Sequence, residues 1–432
     1  MPLSHARTPW CFGARKLCSA ASLLLPQQHR SLESWERRIC RLSGLLHRLE
    51  WPKLSHFTAF GERYELPVRA ASILPGVADT TLQDIQYLAG FFDGDGCVSP
   101  SSKNAGCSLI VGQVSHNSEV LVLYRRAFGG GIYGKTPQRG LSKSVLHWVA
   151  SGPAGKRAAA ILGQHACAKH HELFIASEWP RCALQRSSAK ATLSSMKRED
   201  VKAREPMSWP YFAAGFFDAD GCIRIPPRSS SIILEVSQKR KAVLVKLQLF
   251  LEAECPGHAS YIYTTGCAHV LSVHTSMTCR MILAKLLAAG LLGKRAQAEL
   301  ALGLTSSNRM ETRAALANLK GNQSRYRILD EAGCARAADI QSVQKVRLRL
   351  LASGAVAAAD EQQVLLTHLK QQHTLEKAAT WHSSLRCDIR SWLMEGAFVV
   401  ARDAQNKLRV HGYQHAARSA HHKTCIKYLW AL

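Results

Sequence analysis

The sequence predicts an α+β protein made of two pseudo-symmetric αββαββα units followed by a mainly helical extension. Two observations carry that prediction. One stretch occurs twice, as Tyr87-Leu-Ala-Gly-Phe-Phe-Asp-Gly-Asp-Gly-Cys-Val98 and as Phe212-Ala-Ala-Gly-Phe-Phe-Asp-Ala-Asp-Gly-Cys-Ile223. After each copy the same order of strand-like and helix-like patterns follows.

In the first copy an apolar helix ends at Asp95, and Ser108–Ser115 alternates as a strand. Asn117 and Ser118 then cap a helix running to Phe128. The Gly129-Gly-Gly131 break leads to strands at Ile132–Lys135 and Val145–Ala150, and helices start near Gly155 and Ala166. The second copy gives strand Ile232–Ser237, helix Lys239–Ala253, strands Tyr261–Thr265 and Val270–His274, and helices from Met277 and Gly293. The chain divides into an N-terminal extension (1–84), a first repeat (85–179), a polar, basic linker (180–208), a second repeat (209–305) and a basic helical tail (306–432).

The repeated stretch is unusual for an ordinary core helix. A glycine inside a helix costs about 1 kcal/mol relative to alanine, yet Gly90 and Gly215 are there. With Gly94 and Ala219 they put small residues at i and i+4, one face of each helix, where another backbone can approach closely. The obvious partner is the other copy. Asp93, Asp95, Asp218 and Asp220 lie at helix C-termini, the negative end of the macrodipole. Paired helices would bring Asp95 and Asp220 together, and an oxygen-preferring divalent ion such as Mg²⁺ would resolve the repulsion. Gly96 and Gly221 are expected to end the helices in the left-handed conformation.

These residues closely resemble the LAGLIDADG homing-endonuclease family, in its double-motif, single-chain form. Leu88-Ala-Gly-Phe-Phe-Asp-Gly-Asp-Gly96 fits the family motif well, and the second copy departs at Ala213, where leucine is usual. The resemblance covers roughly residues 85 to 305. It implies two curved antiparallel sheets laid along the major groove of double-stranded DNA, and metal-dependent hydrolysis of phosphodiester bonds. Asp95 and Asp220 would be the shared Mg²⁺ ligands. Lys294 and Lys169, each 74 residues beyond its motif aspartate, would act through solvent. Gln113 and Glu235, at matching strand positions, would lie near the metals, with glutamate a departure from the usual glutamine. His116, Arg224, Arg228 and Lys239 are candidate base readers.

Charge points the same way without specifying the partner. The net charge is +25, and the surplus is spread: residues 87–305 hold 26 basic and 14 acidic side chains, the tail 19 and 10. Such a chain suits a polyanion. Fourteen cysteines without a CxxC pair argue for packed, reduced thiols and against a disulfide framework. No apolar run approaches a membrane span.

The ends carry less information. Residues 1–32 have no acid but contain Arg7, Arg15, Lys16 and Arg30, as either a mitochondrial or plastid transit peptide or an ordinary basic terminus would. Without such a leader, nucleus or cytoplasm is the expected compartment. Leu32–Leu49 reads as an amphipathic helix, and a loop to about Asp84 is expected after it. In the tail, helix is expected at Glu311–Leu319 and by apolar spacing through Leu375. The last forty residues hold several histidines and Cys425 in no standard zinc spacing; a basic, nucleic-acid-contacting appendage fits them better. The chain is expected to be a monomer. The rival to a nuclease is a non-cleaving nucleic-acid-binding protein, such as an intron RNA splicing maturase or a host-adopted derivative.

Overall fold

The computed structural model describes residues 31–70, 80–100, 106–196, 207–227, 229–257, 259–321, 325–326, 328–402 and 408–412. The transit-peptide question, Arg228 and the histidine-rich end with Cys425 therefore lie outside the described residues.

The first repeat starts with α2, Leu82–Asp95. Thr81 caps it, and its side chain and that of Asp84 each accept a bond from the other's backbone N–H. Strands β4 (Gly96–Pro100), β5 (Cys107–Val114), β6 (Gly131–Thr136) and β7 (Val145–Ser151) follow, with α3 (Glu119–Phe128) between the pairs. They form an antiparallel sheet in the order β4-β5-β7-β6. Helices α4 (Gly152–His165) and α5 (His170–Ser177) close the unit. The second repeat has the same plan: helix α7 (a π-type segment, Pro210–Phe216, continuing as α-helix over Phe217–Asp220), then β8 (Gly221–Arg224), β9 (Ile233–Gln238), α8 (Lys241–Glu254), β10 (Ser260–Thr265), β11 (Ala268–Val273), α9 (Ser276–Ala288) and α10 (Arg295–Leu302). Its sheet order, β10-β11-β9-β8, is the first sheet's order in reverse. The α+β class and the doubled αββαββα plan are thus present in the folded chain.

In each sheet one face is buried and the other open. Leu109, Val111, Leu146, Trp148 and Ala150 point into the core, as do Leu234, Val236, Leu271 and Val273. A single apolar core runs through both repeats and includes Phe91, Phe92, Phe216 and Phe217 of the motif helices.

The parts outside the repeats are more ordered than the sequence suggests. The expected loop after residue 49 contains a hairpin, β2 (His56–Ala59) and β3 (Glu62–Glu65), whose Phe57 and Ala59 join the main core. The hairpin was missed because its alternation covers only four residues per strand. Within the expected linker, Ala183–Met196 is helical (α6) and buries Leu193. Helix α1 (Leu32–His47) forms as expected, but it does not stand alone. It packs with α13 (Val356–Met394), the second arm of a helical hairpin whose first arm is α12 (Glu331–Ala352). Leu42, Leu45, Leu46, Leu49, Tyr326, Leu385, Ile389, Leu393, Ala397 and Val399 make a second core. Strand β1 (Leu49–Glu50) pairs with β12 (Phe398–Arg402), which pairs with β13 (Leu408–Gly412). Residues 31–50 and the described part of the tail therefore build one terminal module. It is linked to the second repeat by α11, Arg309–Lys320.

Candidate active site at the paired motif helices

Helix α7 is formed by a widened, π-type segment, Pro210–Phe216, that tightens into α-helix at Phe217–Asp220. It packs directly on α2. A β-carbon added at Gly90 would overlap the carbonyl of Tyr211, and one at Gly215 would overlap the backbone of Tyr87, Gly90 and Phe91. One at Gly94 would collide with the Ala219 side chain and come within 2.8 Å of Asp220 Oδ2. The small faces thus meet backbone to backbone, and Asp220 lies beside the end of the opposite helix.

Gly96 and Gly221 end the helices, but neither is left-handed. Their φ, ψ values of −76°, 152° and −74°, 153° are extended and open to any residue. Glycine is needed there for space. A β-carbon at Gly96 would strike Phe92, and one at Gly221 would strike Phe217.

The four aspartates divide into two kinds. Asp93 is 2% exposed and accepts bonds from the backbone N–H groups of Cys167, Ala168 and Lys169 at 2.6, 2.8 and 2.7 Å. Asp218 accepts in the same way from Leu292, Gly293 and Lys294 at 2.8, 3.0 and 2.7 Å. Each also accepts a tyrosine hydroxyl from the opposite helix: Tyr211 to Asp93 at 2.5 Å and Tyr87 to Asp218 at 2.9 Å. These two carboxylates fasten each motif helix to the turn before its repeat's last helix, and clasp the two repeats together. Burial raises both pKa values above the ordinary carboxylate range.

Asp95 and Asp220 lie at the open ends. Asp95 reaches solvent, and its side chain accepts no hydrogen bond among the described residues. Partial loss of hydration raises its pKa, while Lys294 and Lys169 pull it down. Asp220 is half-buried, and its pKa is pushed up to about 6, first by burial and then by the facing charge of Asp95. Each carboxylate thus feels the other repeat. Gln238 Nε2 donates to Asp220 Oδ2 at 2.5 Å.

The two lysines occupy matching places. Lys169 Nζ donates to the carbonyls of Phe92, Gly94 and Gly96 at 3.0, 2.8 and 2.7 Å. Lys294 Nζ donates to those of Phe217 (2.9 Å), Asp218 and Ala219 (3.3 Å). Both ammonium groups sit at the negative ends of the motif helices; the Phe92 and Phe217 carbonyls also accept from the Gly96 and Gly221 N–H groups, while the last carbonyls lack intrahelical donors. Burial lowers the pKa of each, and the surrounding aspartates raise it.

The strand residues are arranged differently from the expectation. Gln113 Oε1 accepts from the neighbouring Val114 N–H at 2.8 Å. Glu235 pairs with Arg224 at 2.6 Å and accepts the Tyr263 hydroxyl at 3.3 Å. The side chain that meets a motif carboxylate is Gln238, three residues after Glu235 and at the strand's inner end. Strand register, with Gly96 opposite Val111 and Gly221 opposite Val236, makes Gln113 the counterpart of Gln238 and sets Glu235 level with Ile110, so Gln113 and Glu235 do not occupy the matching positions expected of them. His116 contacts Lys143 Nζ at 2.9 Å. Arg224 is exposed on the open sheet face, and Lys239 is exposed just beyond β9. Sequence reading passed over Tyr87, Tyr211, Gln238 and Arg240. The tyrosines gave no repeat signal, because Tyr87 precedes Asp93 by six residues and Tyr211 precedes Asp218 by seven. Arg240 donates to the Ala168 carbonyl and pairs with the buried Glu172 at 2.6 Å, bracing the Lys169 turn from the other repeat.

Two αββαββα units joined through glycine-faced motif helices, each ending in a solvent-reaching aspartate, define the architecture. The chain has the LAGLIDADG homing-endonuclease fold. Solved structures similar to it include the LAGLIDADG meganuclease I-AabMI bound to uncleaved DNA (14% identity, TM-score 0.40, 55% of this chain and 98% of that one). Meganuclease I-SmaMI bound to uncleavable DNA with a TTGT central four is another (16%, 0.41, 55% and 97%). A third is I-SmaMI with uncleaved target in the presence of calcium ions (15%, 0.39, 56% and 98%). No family model matches the sequence, and no curated protein matches it.

Among the described residues no three His, Cys, Asp or Glu side chains gather as a metal cluster. Mg²⁺ asks for less: it is commonly held by one or two carboxylates, with waters and substrate phosphates completing its shell. Asp95's unengaged oxygens and the mutual repulsion of Asp95 and Asp220 fit a divalent cation there.

Proposed function

We propose that the chain is a metal-dependent, site-specific double-strand DNA endonuclease that acts as a monomer. The observation that supports this most strongly is that Asp220 lies beside the end of the Asp95 helix, with its pKa pushed up to about 6 by burial and by the charge of Asp95. A protein that only binds polyanions gains nothing from two facing carboxylates inside a basic surface.

In this reading Asp95 and Asp220 would hold Mg²⁺, whose chemistry when bound would be to make an attacking water more acidic and to offset charge on the leaving oxygen. Asp93 and Asp218 hold the lysine turns in place. Lys169 and Lys294 neutralise the helix ends and moderate the carboxylates' repulsion. Gln238 fixes the orientation of Asp220. The open sheet faces, with Tyr133 and Lys135 in the first repeat and Arg224, Tyr261 and Tyr263 in the second, supply the groove-reading surface.

The test is to incubate the purified chain with a randomised duplex library and Mg²⁺, then sequence the new double-strand ends. A recurrent cleaved site is expected, absent with Asp95→Asn or Asp220→Asn while duplex binding persists. Tight binding in EDTA that Mg²⁺ only weakens, with no nick in any sequence, would instead establish the non-cleaving reading, including one directed at intron RNA.

A further inference from the structure

The end of α11 and the loop between β6 and β7 bring lysines from distant parts of the chain to one place. Lys320 Nζ donates to the Ile223 carbonyl at 2.7 Å and lies 3.4 Å from Cys222 Sγ. Cys222 is two residues past Asp220. Its neighbours Gly221 and Ile223 are buried, so its half-buried side chain belongs to the open face of the second sheet. The next residue, Gly321, would place a β-carbon 3.1 Å from Lys143 Nζ. Lys143 belongs to the first repeat, in the loop 137–144, and contacts His116 at 2.9 Å.

Register fixes where this loop lies. β4 starts beside Asp95, with Gly96 opposite Val111, and Val145 at the start of β7 faces Val114. The loop is therefore at the same end of its sheet as Asp95. The second repeat has only Gly266 and Cys267 at the matching turn, so the feature is one-sided. The terminal module holds the loop in place: Gly140 donates to the Leu49 carbonyl at 2.7 Å, and Leu141 packs on the terminal core. Arg325, close to Lys143, is neutralised by Asp388, whereas no acid pairs with Lys143 or Lys320 among the described residues.

We propose that Lys143 and Lys320 form an asymmetric clamp on the phosphodiester backbone at the centre of the nucleic-acid face, beside the motif aspartates. It rests on the nucleic-acid reading above but not on cleavage. Neither ammonium group has an acid paired with it among the described residues, so phosphate oxygens would supply the missing counter-charge. The raw burial at the site and the neighbouring positive charges already lower the pKa of both Lys143 and His116.

The experiment measures equilibrium binding of the full chain to a mixed-sequence DNA duplex, in EDTA, across a series of monovalent salt concentrations. Each phosphate contact contributes about 0.9 to the slope of log K against log salt. Lys143→Ala and Lys320→Ala are each expected to reduce the slope by about one contact and the double variant by about two. Lys143→Arg/Lys320→Arg should restore it, which separates charge from folding. An unchanged slope in a folded double variant overturns the clamp. So does tighter binding, which would show that the α11 end blocks the face and must leave. A wild-type chain that binds duplex but never cleaves sinks the nuclease assignment and leaves the clamp standing.

Discussion

Asp218 and Asp220 are two residues apart, and their substitution should change stability in opposite directions. Asp218→Ala leaves three backbone N–H groups and the Tyr87 hydroxyl without an acceptor. A loss of about 3 kcal/mol or more is expected, read as a fall in denaturation midpoint. Asp220→Asn should stabilise the metal-free protein. Its folded pKa of about 6 lies above the ordinary 3.8, so the folded state keeps a proton that the unfolded state has lost. Below about pH 4 both states are protonated and the variant gains nothing. As pH rises towards 6 the penalty on the wild type grows, and above 6 it is complete. The gain at pH 7 is about 1–3 kcal/mol after allowance for partial exposure. Thermal melts in EDTA at pH 4 and pH 7 check this, and an equal gain at both would refute the electrostatic cause.

At the scale of elements, the two motif helices reach equivalent contacts by different local geometry. Tyr211 is one residue farther from its aspartate than Tyr87 is, and the π-type segment, Pro210–Phe216, covers most of that interval. A π turn takes up one extra residue, so Tyr211 still reaches Asp93 across the interface. The close helix pairing also fixes what its glycines tolerate. Gly90→Leu or Gly215→Leu would force the backbones apart, and loss of soluble folded protein is the expected result in expression and circular dichroism. Gly96→Ala is a finer test. Its φ suits alanine, so conformation alone predicts a neutral or stabilising change. Collision with Phe92 predicts destabilisation of about 1–3 kcal/mol instead. Urea melts distinguish the two.

For the whole molecule, two apolar cores imply two cooperative units. Ile389, a fully buried residue of α13, belongs to the terminal core. Ile389→Ala should cost about 2–5 kcal/mol there, while leaving the transition of the repeat core nearly in place. Calorimetry should show one transition moving and the other staying. A single peak shifting as a unit would mean that the module and the repeats unfold together. The same arrangement gives the extensions a mechanical role, since Leu49 and Glu50 hold the loop that carries Lys143.

The sequence by itself determined the doubled fold, the pairing of the motif helices and the four aspartates as the residues to watch. All of these depend on local periodicity or on a pattern stated twice. Helix α1 was legible too, since its apolar spacing is internal to the segment. What only the tertiary structure decided is which neighbour each side chain meets. Asp93 and Asp218 became anchors because backbone N–H groups seventy-odd residues away turn towards them. Gln238, not Glu235, meets Asp220 because strand pairing across β8 and β9 sets which residue lies at the inner end. Gly96 is a glycine for lack of room beside Phe92, a reason that φ preference does not reveal. The joining of residues 31–50 to the tail was equally invisible: each segment has an apolar face, but hydrophobic burial is non-directional and does not name its partner.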